Sequence, residues 1–297
     1  MFSTSPSALL AVDAPPLTPE EIGRTAAFFL GAFLIVALAK VLRDLIARRQ
    51  GRSLGDLIVQ RDNVAVGVEM AGFVLAMVLG LLGSLVVYGN TWYGQAGDLL
   101  LTGGIVFAVL ILSDQLISRI VLRGLDCNAA VADDANLAVA IVRATGNVAT
   151  ALVLRGALGH DSPLGERLVW VALGLVALVG LSLAYQVLTR YDDVAEVRHK
   201  NVAAALPMGG ILLAVGLVVE AAVGGEGSGW GPDLIALVLD LSVSAILIVV
   251  LRWTADKLLL PGATFHDEIA RDKNAGVGML EAGTTLAVGL AVAYFLN

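Results

Sequence analysis

Five ionisable side chains stand where the sequence is otherwise apolar: Glu69, Asp114, Arg143, Asp240 and Glu281. A charge in hydrocarbon costs a few kcal/mol or more unless it is paired or lines water, so each is a candidate for chemistry. Glu69 follows Asn63 by six residues, while Arg143 and Glu281 each follow an asparagine, Asn136 and Asn274, by seven. At the helical rise these three share a layer roughly 9–11 Å inside one membrane face. Asp114, five residues before Arg119, reaches the same layer from a helix running the other way. Asp240 and Glu220 lie nearer the opposite face. Two chemistries fit the layer. Arg143 can pair with Glu281 or Glu69 and lock the packing, since a buried pair roughly breaks even. Alternatively, three acids against one arginine leave a carboxyl unpaired, and such a carboxyl holds and exchanges a proton or binds a cation.

The elements that position these groups follow from composition. Of 297 residues, 58% are hydrophobic and 15% charged, and the mean hydropathy is +0.84. Soluble domains carry roughly 45–50% apolar and about 25% charged residues, so a soluble enzyme is excluded. About 20 apolar residues cross a bilayer as a helix. Eight stretches qualify: 25–42, 64–88, 99–122, 136–158, 168–188, 202–223, 234–253 and 275–296. The fold class is therefore all-α, a polytopic membrane bundle of eight transmembrane helices. The connections 43–63 and 254–274 are long enough for short amphipathic surface helices. Residues 1–23 hold no Lys or Arg and so lack the basic n-region of a signal peptide. The glycine-rich stretch 224–231 reads as a loop and lacks the Lys-Ser/Thr ending of a phosphate loop.

The chain repeats. Asn63, Asn136, Asn201 and Asn274 each open an alternate span, and each has a small residue two positions on: Ala65, Ala138, Ala203 and Gly276. The asparagines are spaced by 73, 65 and 73 residues, so every second one recurs after 138. This is a duplicated four-helix unit, each unit made of two helical hairpins, with the halves at residues 1–160 and 161–297. Arg143 and Glu281 also differ by 138, which sets opposite charges at matched sites. An asparagine at a helix start caps free N–H groups. The alternative is a ring of four amides lining a cytoplasmic mouth. In the third repeat Pro207 replaces the charge, cannot donate to Ala203, and predicts a helix kink. Small residues at four-residue steps, such as Gly72, Ala76 and Gly80, predict close helix packing.

The Asn-x-Ala start with a glycine nine residues later (Gly72, Gly210, Gly283; Gly146 one later) resembles the domain-of-unknown-function 350 family of YjfL-like bacterial inner-membrane proteins. The likeness covers two tandem copies of the four-helix unit. Thr145 stands where the other repeats have glycine. The resemblance implies an inner-membrane helical protein and supplies no catalytic residues.

The remaining totals narrow the class. Net charge is −7, which argues against nucleic acid. Cys127 is the sole cysteine, and His160, His199 and His266 fall in polar connections without paired spacing. No catalytic residues, metal site or cofactor are expected, and no enzyme. Fifteen of the 19 basic residues flank one set of connections, against Arg24, Arg155 and Arg167 on the other side. The positive-inside rule then puts both termini on the periplasmic side of a bacterial inner membrane. Two functions stand. One is an ion or small-solute channel or transporter using the buried carboxylates. The other is a scaffold docking a cytoplasmic partner through charged loops such as Asp192, Asp193, Glu196, Arg198, His199 and Lys200. The lipid bilayer is the certain partner; a homo-oligomer is compatible with either reading.

Overall fold

A computed structural model of the chain describes residues 18–83, 92–159, 162–189, 191–224, 229–260 and 262–296. Most of the lead-in, His160 and residues 225–228 of the glycine-rich stretch lie outside them. The order is α1 (Pro19–Arg48), α2 (Leu54–Val59), α3 (Val64–Leu82), α4 (Trp92–Leu116), α5 (Cys127–Ala132), α6 (Leu137–Leu158), α7 (Leu164–Leu188), α8 (Asp193–Arg198), α9 (Val202–Val223), α10 (Trp230–Leu259) and α11 (Ala275–Leu296). A π-helical turn, Ile117–Val121, extends α4, and another, Asp267–Arg271, precedes α11. The eight long helices are apolar and long enough to cross a membrane.

Each of four units has one plan. A long outer helix leads to a short capped turn of helix, then an asparagine, then an inner helix. Ser53, Asp126 and Asp192 cap the short helices by accepting from Asp56, Ala129 and Ala195 N–H. Thr264 does the same for Asp267 at 3.1 Å. The residue before every asparagine, Asp62, Ala135, Lys200 or Lys273, has φ between 48° and 62°. This left-handed residue costs about 1–2 kcal/mol. It reverses the chain tightly enough for the asparagine to cap the inner helix. Asn63 and Asn136 accept from Val66 and Val139 N–H at 3.2 Å, Asn201 from Ala203 at 3.0 Å, and Asn274 from Gly276 at 3.1 Å.

The inner helices pack in a row, α3–α6–α9–α11, with α3 and α11 at its ends. Their backbones nearly touch. A Cβ on Gly72 would lie 2.5 Å from Ala144 Cβ, and one on Gly210 would lie 2.8 Å from Ala282 Cα. Small faces are what allow such packing in lipid. The outer helices fill the flanks, α4 against α3 and α6, α7 against α6 and α9, and α10 against α9 and α11.

α1 and α4 begin earlier than the sequence expectation, at Pro19 and Trp92, and two helices also end later. α1 runs past residue 42 to Arg48, and α10 past residue 253 to Leu259. The α1 extension carries Arg43 into the bundle, while Arg252 lies one residue inside the expected end of its span. Short surface helices arise in all four connections on this side rather than in two. α9 continues through Pro207 to Val223. The Ala203 carbonyl that Pro207 cannot engage meets Gly278 of α11, where any Cβ would collide with it.

Candidate functional site

In the first half four charges meet. Arg143 donates to both Asp114 oxygens, through Nε at 2.9 Å and through a short Nη2 contact, and to Glu69 at 3.3 Å. Arg43 makes a short bond to Glu69 and lies 3.9 Å from Asp114. Its guanidinium also sits 4.5 Å from the centre of the Phe73 ring. Four helices, α1, α3, α4 and α6, each supply one member. All four side chains are buried, and the charges sum to zero. Each carboxylate has two cationic neighbours, so this cluster holds no free acid.

Arg43 is the member that sequence reasoning placed in a connection. With Arg43 present, Glu69 and Asp114 act as the acidic half of a closed clamp.

The second half is built on the same plan with its polarity reversed. The residues 138 positions after Asp114 and Arg143 are Arg252 and Glu281. They again form the pair between outer and inner helix, Arg252 Nε donating to Glu281 Oε1 at 2.5 Å. The other two members have no charged counterpart. Arg43 corresponds to Leu181 and Glu69 to Pro207. Glu281 is 0% exposed. Besides Arg252 it takes a 3.0 Å hydrogen bond from the Tyr185 hydroxyl, and its Oε2 has no partner among the described residues.

Losing the second ion pair opens space. Both halves contain a crevice at equivalent positions; Ile111, Asp114, Gln115 and Asn128 in one match Val249, Arg252, Trp253 and His266 in the other. The first encloses about 90 Å³ and the second about 240 Å³. In the first half Arg43 fills the layer, backed by Phe73 and Phe107, whose rings meet edge to face at 6.2 Å. Their counterparts are Leu181, Ile211 and Ala245, all smaller, and all three line the larger cavity. Tyr185, Arg252, Asp256, Thr264 and His266 supply its polar wall.

A second polar group adjoins it at the basic-rich end. Asp193 is 2% exposed, with Oδ2 accepting a short bond from Thr189 and Oδ1 unpartnered among the described residues. Burial pushes its carboxyl up to about 7, and the field of Glu281 adds to the rise. Tyr191 stacks on His266 with ring centres 5.7 Å apart. The buried Tyr191 hydroxyl and His266 Nδ1 also lack partners among the described residues. His266 is thus half-buried beside the cavity, whereas the sequence suggested a solvated loop residue.

The other expected site residues fall elsewhere. Asp240 is half-buried on α10 and belongs to neither cluster. Asn63, Asn136 and Asn201 are buried, and their amides point into the protein rather than around a mouth. Each donates to a carbonyl of the next unit's short segment: Asn63 to Val131 and Ala132, Asn136 to Val197 and Arg198, Asn201 to Ile269. Of the four, Asn274 alone is exposed. Pro207 occupies the position of Glu69 and so removes a charge from the second layer. Among the described residues no cluster of His, Cys, Asp and Glu is arranged for a metal ion.

Two four-helix units in tandem, with buried charge at matched depths, define a polytopic helical membrane protein. The chain belongs to the family described as Domain of Unknown Function (DUF350), which it matches over residues 17–158 and again over 161–296. No curated protein and no solved structure matches it.

Proposed function

We propose that this protein is an ion-coupled conduit for protons or small solutes, with its working site in the second half. The observation that carries this is Glu281, fully buried, with one oxygen unpartnered among the described residues, bonded to two residues that line a 240 Å³ cavity. An unpaired carboxylate oxygen at such a site gains a partner when a proton or small cation arrives. Asp193, Tyr191 and His266 extend the polar path toward the basic-rich end. The positive-inside rule makes that end cytoplasmic and leaves both termini outside a bacterial inner membrane. The first half, its charges closed, serves as the rigid frame. No covalent chemistry is assigned.

The scaffold reading draws on a loop cluster that is partly engaged within the chain, although Asp192, Arg198, His199 and Lys200 stay exposed. Asp192 caps α8, Asp193 is buried, and Glu196, Arg198 and Lys200 bond to Asn201, Gly124 and Asp134 within the chain. Liposomes containing a pH-sensitive dye test the conduit. Wild type should relax an imposed proton gradient, and Glu281→Gln, which keeps the shape, should slow it at least tenfold. An unchanged rate in a folded Glu281→Gln protein refutes the assignment.

A further inference from the structure

We infer that copies of this chain join head to tail in the membrane, α11 of one copy docking on α3 and α1 of the next. The inner row is built from one contact used three times. At each step the asparagine amide of one helix reaches a carbonyl of the next unit's short segment, 2.8–3.2 Å away. At each step the residue nine past one asparagine meets the residue eight past the next: Gly72 with Ala144, Thr145 with Gly209, and Gly210 with Ala282. At each step an outer helix seats between the two inner ones.

Both ends of the row retain the halves of this contact. On α11, Asn274 is exposed and turns its amide back onto its own Glu268 at 2.9 Å. A Cβ on Gly283, nine residues past Asn274, would meet nothing within 4 Å. Gly283 lies in a shallow groove with Gly276, Met279 and Ala287. On α3, Ala71, eight residues past Asn63, is exposed, and Gly67 faces open space. The carbonyls of Ile58 and Val59 end α2 at the positions matching Val131 and Ala132, and Val59 is 78% exposed. The first outer helix repeats the pattern. Among the described residues α1 packs on α3 with no other inner helix on its far side, and Phe29, Leu30, Phe33 and Leu34 are exposed.

Lipid tails satisfy apolar surface, so apolar exposure alone does not drive association. What singles out a second copy is the complementarity: a glycine opposite an alanine, and an exposed asparagine amide opposite helix-end carbonyls. A heterologous contact of this kind builds a closed ring or an open row.

The test uses full-length chains in lipid nanodiscs, with copy number read by native mass measurement. Wild type should give assemblies of two or more copies. Gly283→Trp blocks the α11 face and Ala71→Trp blocks the α3 face; both sites are open among the described residues, so each variant should fold with wild-type helix content. Each variant alone should be a single copy. Co-expressed, they should form a two-copy complex, because one retains α11 and the other retains α3. A single-copy wild type, association of either variant alone, or failure of the mixture would each overturn the inference.

Discussion

Reversing the central ion pair should be tolerated in one half and not in the other. Asp114→Arg with Arg143→Glu gives the first half the polarity of the second. Arg43 and Glu69 do not reverse with it. Arg43, 3.9 Å from Asp114, would face an arginine, and Glu69, 3.3 Å from Arg143, would face a glutamate. At such distances two unit charges interact by about 4 kcal/mol at an effective dielectric constant of 20. Two contacts each changing from attraction to repulsion give a swing of roughly 16 kcal/mol before relaxation. Domain stability is about 5–15 kcal/mol, so no folded protein should be recovered. The mirror change, Arg252→Asp with Glu281→Arg, meets Leu181 and Pro207 at the positions of Arg43 and Glu69. It forfeits the Tyr185 hydrogen bond, worth about 1 kcal/mol. The assay is the yield of monodisperse protein in detergent and its melting midpoint. The mirror variant should melt within several degrees of wild type while the first is lost. Equal tolerance of both reversals would refute the closed-clamp account of the first half.

Two further perturbations read the frame. Asp193 has its carboxyl raised to about 7 in the folded protein, against an ordinary 3.8, so its contribution to stability is full below about pH 4 and is lost as pH rises through about 7. The wild-type melting midpoint should therefore fall between pH 5 and pH 8.5, and Asp193→Asn should remove that part of the fall; an identical fall in the variant would count against a buried, titrating Asp193. Asn136→Ala loses both the helix cap and the bonds to the α8 carbonyls and should cost about 2–3 kcal/mol, whereas Asn274→Ala in a single-copy protein loses about 1 kcal/mol. Unfolding curves that rank them equally would contradict the relay between units.

The repeat and its helices were legible in the sequence because apolar length and the asparagine spacing are local features. The matched Arg143 and Glu281 were legible for the same reason. Arg43 and Arg252 were not read as buried, because a basic residue near a membrane edge ordinarily marks the interface. The extra turns of α1 bring Arg43 inward, whereas Arg252 already stands one residue inside the expected end of its span and turns to Glu281. The signal was present for Arg252, which stands 138 residues after Asp114, as Glu281 stands after Arg143. The cavity is a property of volume, Arg43, Phe73 and Phe107 against Leu181, Ile211 and Ala245, and becomes visible only when the halves are superposed. The inward turn of the asparagine amides depends on contacts 61–69 residues away and has no local signature.

The central claim is that the second-half cavity conducts. Ile211→Phe with Ala245→Phe restores the first half's aromatic pair and fills the space without touching Arg252 or Glu281. Proton flux through liposomes containing this variant is the most direct measurement. The account predicts that flux falls to the level of protein-free liposomes while the melting midpoint is unchanged or higher. Flux equal to wild type with the cavity filled would contradict it.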